Sequence, residues 1–175
     1  MLLCGSEWQP TLIKRVIEPL PTSTRPAKVL TDQGIGFLKG MGNPAGDEAL
    51  AQELVGTELA RWLGLKTPPF AIVAVRELEI PMEKAHQRVM REGPAFITQE
   101  LKGMTGDGGA TLLRRITNPE DIAKLVVLDT WIRNSDRHAP WLEGQVNGSN
   151  LDNLFFRVNG RKLRSTTPIA LSKPP

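Results

Sequence analysis

The sequence predicts an α+β fold with a β-rich first part and a helical second part. Two observations carry this. Short apolar stretches separated by Pro and Gly turns crowd the first hundred residues, with one amphipathic helix among them. A second helical stretch then starts at Asn118-Pro119-Glu120-Asp121 and runs through Leu125, Val126, Val127, Leu128, Trp131 and Ile132. Between these parts lies a Gly-rich connection, from Gln99-Glu100-Leu101-Lys102-Gly103 to Ala110.

The elements follow from local chemistry. Leu12 to Ile17 alternates imperfectly and stops at Pro19, which predicts a first strand. Ala27 to Leu30 is a second, Asp32-Gln33-Gly34 a turn, and Ile35 to Lys39 a third. Side chains alternate along a strand, so Ile35, Phe37 and Lys39 share a face, and Gly36 lets another group come close. Gly40 to Gly46 is expected to be a flexible loop. It matches neither the phosphate-loop pattern nor Gly-x-Gly-x-x-Gly.

A helix is expected from about Asp47 to Leu63, with Leu50, Leu54, Val55, Leu59, Trp62 and Leu63 facing inward. Asp47 and Glu48 suit its positive end, and Gly64 suits its C-cap. Phe70 to Val75 is a strand. Glu77 to Glu92 is expected to be an exposed, partly helical excursion, in which His86 is a solvated histidine. Ala95 to Thr98 is a short strand. Asn118 is the expected cap of the second helix, with Pro119 at its first position, and that helix runs to about Arg133.

Composition excludes several classes. The chain has 175 residues, 40% of them hydrophobic, enough for a core and against disorder. Net charge is +3 and no Lys/Arg run forms a nucleic-acid arm, so no direct nucleic-acid binding is expected. The single Cys4 permits no internal disulfide, which suits a reducing compartment. The first residues are too short for a signal peptide, and no segment reaches the roughly 18 apolar residues of a membrane span. A soluble, cytoplasmic protein without a membrane role is expected.

One stretch concentrates ionisable groups. The second helix delivers Asn134-Ser135-Asp136-Arg137-His138 at its exit, and Asp152-Asn153 follows after a polar loop, opening the apolar Leu154-Phe155-Phe156 strand. Phosphoryl-transfer sites use such an arrangement: an Asp to accept a hydroxyl proton, and an Asn to hold magnesium against phosphate charge. On residue type alone, Asp136 could equally be a turn residue, Lys39 a solvated strand lysine and Glu53 a solvent-side acid.

Together these residues resemble the HipA-like kinase domain, a bacterial branch of the protein-kinase-like fold. Its marks here are Lys39 on a strand and Glu53 on the helix ending Ala60-Arg61-Trp62-Leu63-Gly64-Leu65, followed by Pro68-Pro69. The string Trp131-Ile132-Arg133-Asn134-Ser135-Asp136-Arg137-His138 and then Asn153-Leu154-Phe155 complete them. The string is the most specific part, and the resemblance covers roughly Ile13 to Val158. It implies a protein-kinase-like fold: a β-rich N-terminal lobe with one helix, and an incomplete helical C-terminal lobe. The expected organisation is one domain over residues 1–175, with the N-lobe at about 12–101, a partial C-lobe at about 102–158 and a diverged tail at 159–175.

The resemblance also implies roles. Lys39 would pair with nucleotide phosphate oxygens and Glu53 would orient it. Gln99, Glu100 and Leu101 would meet the adenine edge through their backbone. Asp136 would position or deprotonate the acceptor hydroxyl, with Arg137 and His138 beside it, His138 bracing the loop. Asn153 would ligate magnesium. ATP and Mg2+ are the implied cofactors, and a protein Ser/Thr hydroxyl, with an antitoxin-like partner, the implied acceptor. A related Asp-Arg-His motif occurs in phosphoinositide kinases, so a lipid or small-molecule kinase is a further reading.

Two features depart from the family pattern. Residues 139–152 separate Asp-Arg-His from Asn153, where the family places its Asn only a few residues on; Asn147 and Asn150 compete for the role. From Leu154 to Pro175 there is no Asp or Glu to serve as the second metal ligand that kinases of this fold use. Losing about 3–4 kcal/mol of metal stabilisation would slow transfer by roughly a hundred- to a thousandfold. The expected activity is therefore an impaired kinase. The alternative is an inactive pseudokinase or partner-binding module.

Overall fold

The computed structural model describes residues 8–22, 24–76, 78, 80–81, 89–105, 114–134, 155–159 and 162–166. They form a mixed α+β fold in two compact units. One comprises Met1–Leu54 and Pro68–Glu100, the other Val55–Thr67 and Leu101–Pro175. No described helix is long and apolar enough to cross a membrane.

The first unit is built on a five-stranded antiparallel sheet. Its strands are β1 (Ile13–Pro19), β2 (Ala27–Thr31), β3 (Gly34–Met41), β4 (Phe70–Val75) and β5 (Arg91–Gln99), in spatial order β1-β2-β3-β5-β4. The turn chemistry at Asp32-Gln33 works as expected. Thr31 pairs with Gly34, the Thr31 hydroxyl donates to the Gly34 carbonyl at 2.7 Å, and Gly34 takes φ 105°. The Asp32 carboxylate then accepts from the Thr11 hydroxyl at 2.8 Å and from backbone N–H groups of Thr11 and Leu12, tying the entering chain to the turn. The Thr11 hydroxyl, aided by those N–H groups, holds the Asp32 carboxyl below its ordinary range.

Alternation sorts the sheet into two faces. Val29, Leu38, Val73, Val75 and Ile97 face a core closed by Trp8, Ile80 and Met90. On the opposite face, Lys39 pairs with Phe96, which pairs with Ile72. Phe70 and Phe96 stack there with centroids 5.3 Å apart. Gly36 has the close neighbour that its lack of a side chain suggests. A Cβ on it would lie 2.9 Å from the Trp8 ring and 2.8 Å from the Thr98 carbonyl oxygen.

Two expectations change in this unit. The loop before the helix is tied rather than free. The Gly42 N–H donates to Asp47 at 2.8 Å, Asn43 donates to the Thr24 carbonyl at 2.7 Å, and Arg91 pairs with Asp47. Asp47 therefore serves the loop more than the helix dipole. The ends of the charged excursion are also structured: Pro81 bridges to Val89, Ile80 and Met90 are buried, and Arg91 and Glu92 belong to β5. Residues 82–88, with His86, lie outside the described residues.

Helix α1 (Glu48–Trp62) forms where expected but turns a different face inward. Its buried positions are Ala49, Glu53, Gly56, Thr57 and Ala60, while Val55 and Trp62 are 54% and 74% exposed. A helix places residues three and four apart on one face whatever their type. Here the face with small residues and a paired carboxylate is buried in preference to the more apolar one. α1 closes as expected at Gly64, with φ 76°. Leu65 N–H donates to Ala60 O and Gly64 N–H to Arg61 O, each at 2.9 Å, which is a Schellman closure.

In the second unit, α2 (Glu120–Trp131) buries Asp121, Leu125, Leu128 and Asp129 at helical spacing. Leu125 and Leu128 form a cluster with Ala60, Leu65 and Phe156. Val126, Val127 and Trp131 of the same apolar stretch are more than half exposed because they lie on the other side of the helix. Asn118 starts α2 differently from a standard cap. Its backbone carbonyl accepts from Asp121 N–H, while its side chain donates to the Asp121 carboxylate at 2.6 Å. Three strands complete the unit: β6 (Gly103–Thr105), β7 (Phe155–Asn159) and β8 (Lys162–Thr166), antiparallel in that order. Asn159 pairs with Lys162, so part of the expected tail forms a strand.

Candidate functional site

Lys39 lies on β3, on the face opposite the unit's main core, where it pairs with Phe96 of β5. Just beyond it the strands lose register: Met41 pairs with Arg91, not with the residue that regular pairing would supply. The Lys39 ammonium donates to the Glu53 carboxylate of α1 in a close ion pair. Their side chains are only 17% and 7% exposed. Such shielding strengthens the attraction and makes an unpaired partner costly. The pair holds a compact cation at a defined point beside the sheet, a suitable donor for a phosphate oxygen.

Gln99, Glu100 and Leu101 leave the same sheet. Gln99 N–H donates to the Pro69 carbonyl at 2.8 Å, and Glu100 N–H to the Ile35 carbonyl at 2.9 Å. These two N–H groups therefore serve the protein's own backbone. The Glu100 carboxylate accepts from Lys28 of β2 at 2.8 Å, and this hydrogen bond, with the attraction of Glu100 and Glu18, raises the Lys28 pKa above its ordinary value. Leu101 is half-buried. The structure thus brings Lys39 to Glu53, and Glu100 to Lys28.

Asp136, Arg137, His138 and Asn153 lie outside the described residues, as do Asn147 and Asn150. Their nearest described flanks are the C-terminus of α2 and the start of β7. At the first flank the structure adds two residues for which no role was expected. Asn134 donates through its N–H to the Asp129 carbonyl at 2.8 Å, and through its side chain to the Asp129 carboxylate at 2.9 Å. Both are buried, at 2% and 4% exposed. Asn134 stands inside the motif string, but its partner lies five residues earlier on the helix, where nothing in the string marks it. At the second flank, Phe156 is buried in the cluster of the second unit. Lys28 was likewise unmarked, since a strand lysine without its partner reads as a solvent group.

Among the described residues, Lys39 is a fixed cation paired with the Glu53 carboxylate, which fits a nucleotide phosphate. For magnesium, Asn153 would offer one neutral oxygen, and it lies outside the described residues.

No curated protein matches the chain. The model of the HipA-like kinase family matches residues 22–164, from the loop before β2 into β8. That span contains Lys39, Glu53, Asp136 and Asn153 and most of the chain. Kinases in general use ATP and a metal ion. The chain belongs to the HipA-like kinase family.

Proposed function

We propose that this chain binds ATP at Lys39 and that its site is organised to transfer the γ-phosphoryl group to a Ser or Thr hydroxyl of a protein. An antitoxin-like partner is one such acceptor. The observation that carries the reading is the shielded Lys39–Glu53 pair, which joins the two residues that the resemblance implies for holding the nucleotide phosphates. Lys39 holds a phosphate oxygen and Glu53 fixes the ammonium. Gln99, Glu100 and Leu101 border the base. Asp136 accepts the proton of the acceptor hydroxyl as that oxygen bonds to Pγ and the bond from Pγ to the departing ADP oxygen breaks. Asn153 would hold part of a bound magnesium ion, which would supply charge neutralisation.

A second reading is a pseudokinase or partner-binding module that keeps the nucleotide site without turnover. A thermal melt with ATP, with and without Mg2+, tests the first reading. ATP at 100 times its dissociation constant adds about 2.7 kcal/mol, roughly a 5–10 °C shift. A magnesium-dependent shift that disappears in Lys39→Met, measured against that variant's own baseline, supports the ATP site. Phosphotransfer from γ-labelled ATP then separates kinase from pseudokinase. Absence of any shift in a cooperatively melting protein refutes ATP binding.

A further inference from the structure

Helices α1 and α2 close by the same hydrogen-bond pattern but with different chemistry. In α1 the left-handed position is Gly64, which takes φ 76° without a Cβ penalty. In α2 it is Arg133, with φ 53°. There Arg133 N–H donates to Thr130 O at 3.4 Å, and Asn134 N–H to Asp129 O at 2.8 Å. A side chain at that position is disfavoured, so the surroundings must hold it. The extra bond at α2 is the Asn134 amide to the Asp129 carboxylate, buried and 2.9 Å long. It links the residue just after the turn to the residue that accepts the turn's longest-range backbone bond. Two bonds between one pair of residues leave the chain little choice of exit direction. The exit leads in two residues to Asp136.

We propose that Asp129 and Asn134 are positioning residues: their double hydrogen bond fixes the left-handed turn at Arg133 that ends α2, two residues before Asp136 in the sequence. As a statement about catalysis this rests on the kinase reading above; as a statement about the turn it does not. A cap needed only for helix stability would be served by Gly at position 133, as α1 is by Gly64. Arg133 with an added buried side-chain bond instead holds the turn itself in one conformation. Displacing a reacting group by about 1 Å costs on the order of a hundredfold in rate, which is the scale on which such stiffness matters.

The test uses the full chain and two variants, Asn134→Ala and Arg133→Gly, with three readouts: thermal midpoint, peptide-level hydrogen–deuterium exchange, and ADP release from Mg·ATP. In Asn134→Ala, exchange at the Ile132–Asn134 amides rises about tenfold, while the Leu125–Leu128 face of α2 keeps wild-type protection. ADP release falls on the order of a hundredfold, with KM for ATP within about twofold of wild type. Arg133→Gly melts at or above the wild-type temperature because it relieves the left-handed arginine. The inference is overturned if Asn134→Ala raises exchange evenly across the second unit, which marks a plain core residue. It is equally overturned if exchange near Ile132 does not change, or if ADP release is unaffected in an active protein. Wild-type protein that releases no ADP refutes the enzyme reading alone, since the exchange pattern still decides whether the pair fixes the turn.

Discussion

The Lys39 ammonium on β3 and the Glu53 carboxylate on α1 form an ion pair in which both side chains are largely shielded from water. Their backbones are fourteen residues apart in the chain, and the tied Gly40–Asp47 loop closes the distance. Such a pair contributes little net stability compared with an apolar substitute, because both charges lose hydration. Its value is positional: it places one cation at one point.

Removing one partner strands the other. Glu53→Ala should lower stability by about 3 kcal/mol, a fall in Tm of roughly 6–12 °C. The double variant Lys39→Met/Glu53→Leu should recover most of that loss while failing to bind ATP. A double-mutant cycle by thermal melting checks this; additive losses would show that the two charges do not interact.

Gly36→Ala places a methyl 2.9 Å from the Trp8 ring and 2.8 Å from the Thr98 carbonyl oxygen. Neither can withdraw freely: Thr98 pairs with Phe37 and Phe70, and the Trp8 indole donates to the Gln33 carbonyl at 2.9 Å. The expected cost is about 1–3 kcal/mol, with a red shift of Trp8 emission as its ring is pushed toward water. Trp8 lies among four tryptophans, so the shift is read in a variant retaining it alone.

Phe156→Ala removes a fully buried ring from the cluster formed with Ala60, Leu65, Leu125 and Leu128. A loss of about 3–5 kcal/mol is expected. Hydrogen exchange should rise in α2 and β7 while the five-stranded sheet keeps its protection. Equal loss in both units would show a single cooperative block.

Asp47 should make the loop before α1 acid-sensitive. The Gly42 N–H, and then Arg91, hold its carboxyl below the ordinary value of 3.8. Its folded pKa is depressed, so the stabilisation is fully present above the unfolded value and is lost as pH falls through the folded one. Protection of the Gly42 amide should be constant from pH 5 to 8 (roughly, ordinary carboxylates being ionised there) and should fade below about pH 4. Asp47→Asn should remove that dependence; an unchanged profile in this variant would assign it to another group.

Much of this molecule is determined by sequence alone. Alternation places Lys39 on the same side of its strand as Ile35 and Phe37, the Asp32-Gln33-Gly34 turn sets the β2–β3 register, and Gly64 ends α1. Each of these depends on neighbours within a few residues, where backbone sterics and local hydrogen bonds suffice. The family string from Trp131 to His138 is likewise read directly from residue order.

The tertiary structure decided the rest. It alone turns the Glu53 side of α1 inward and leaves Val55 and Trp62 outside, because burial depends on what each face meets and not only on its apolarity. It turns Asn118 toward the Asp121 carboxylate and Arg91 toward Asp47. It joins Asn134 to Asp129, since a helix turn brings together positions that a linear motif keeps apart. Charges and amides are satisfied by proximity in space, which residue spacing constrains only within one element.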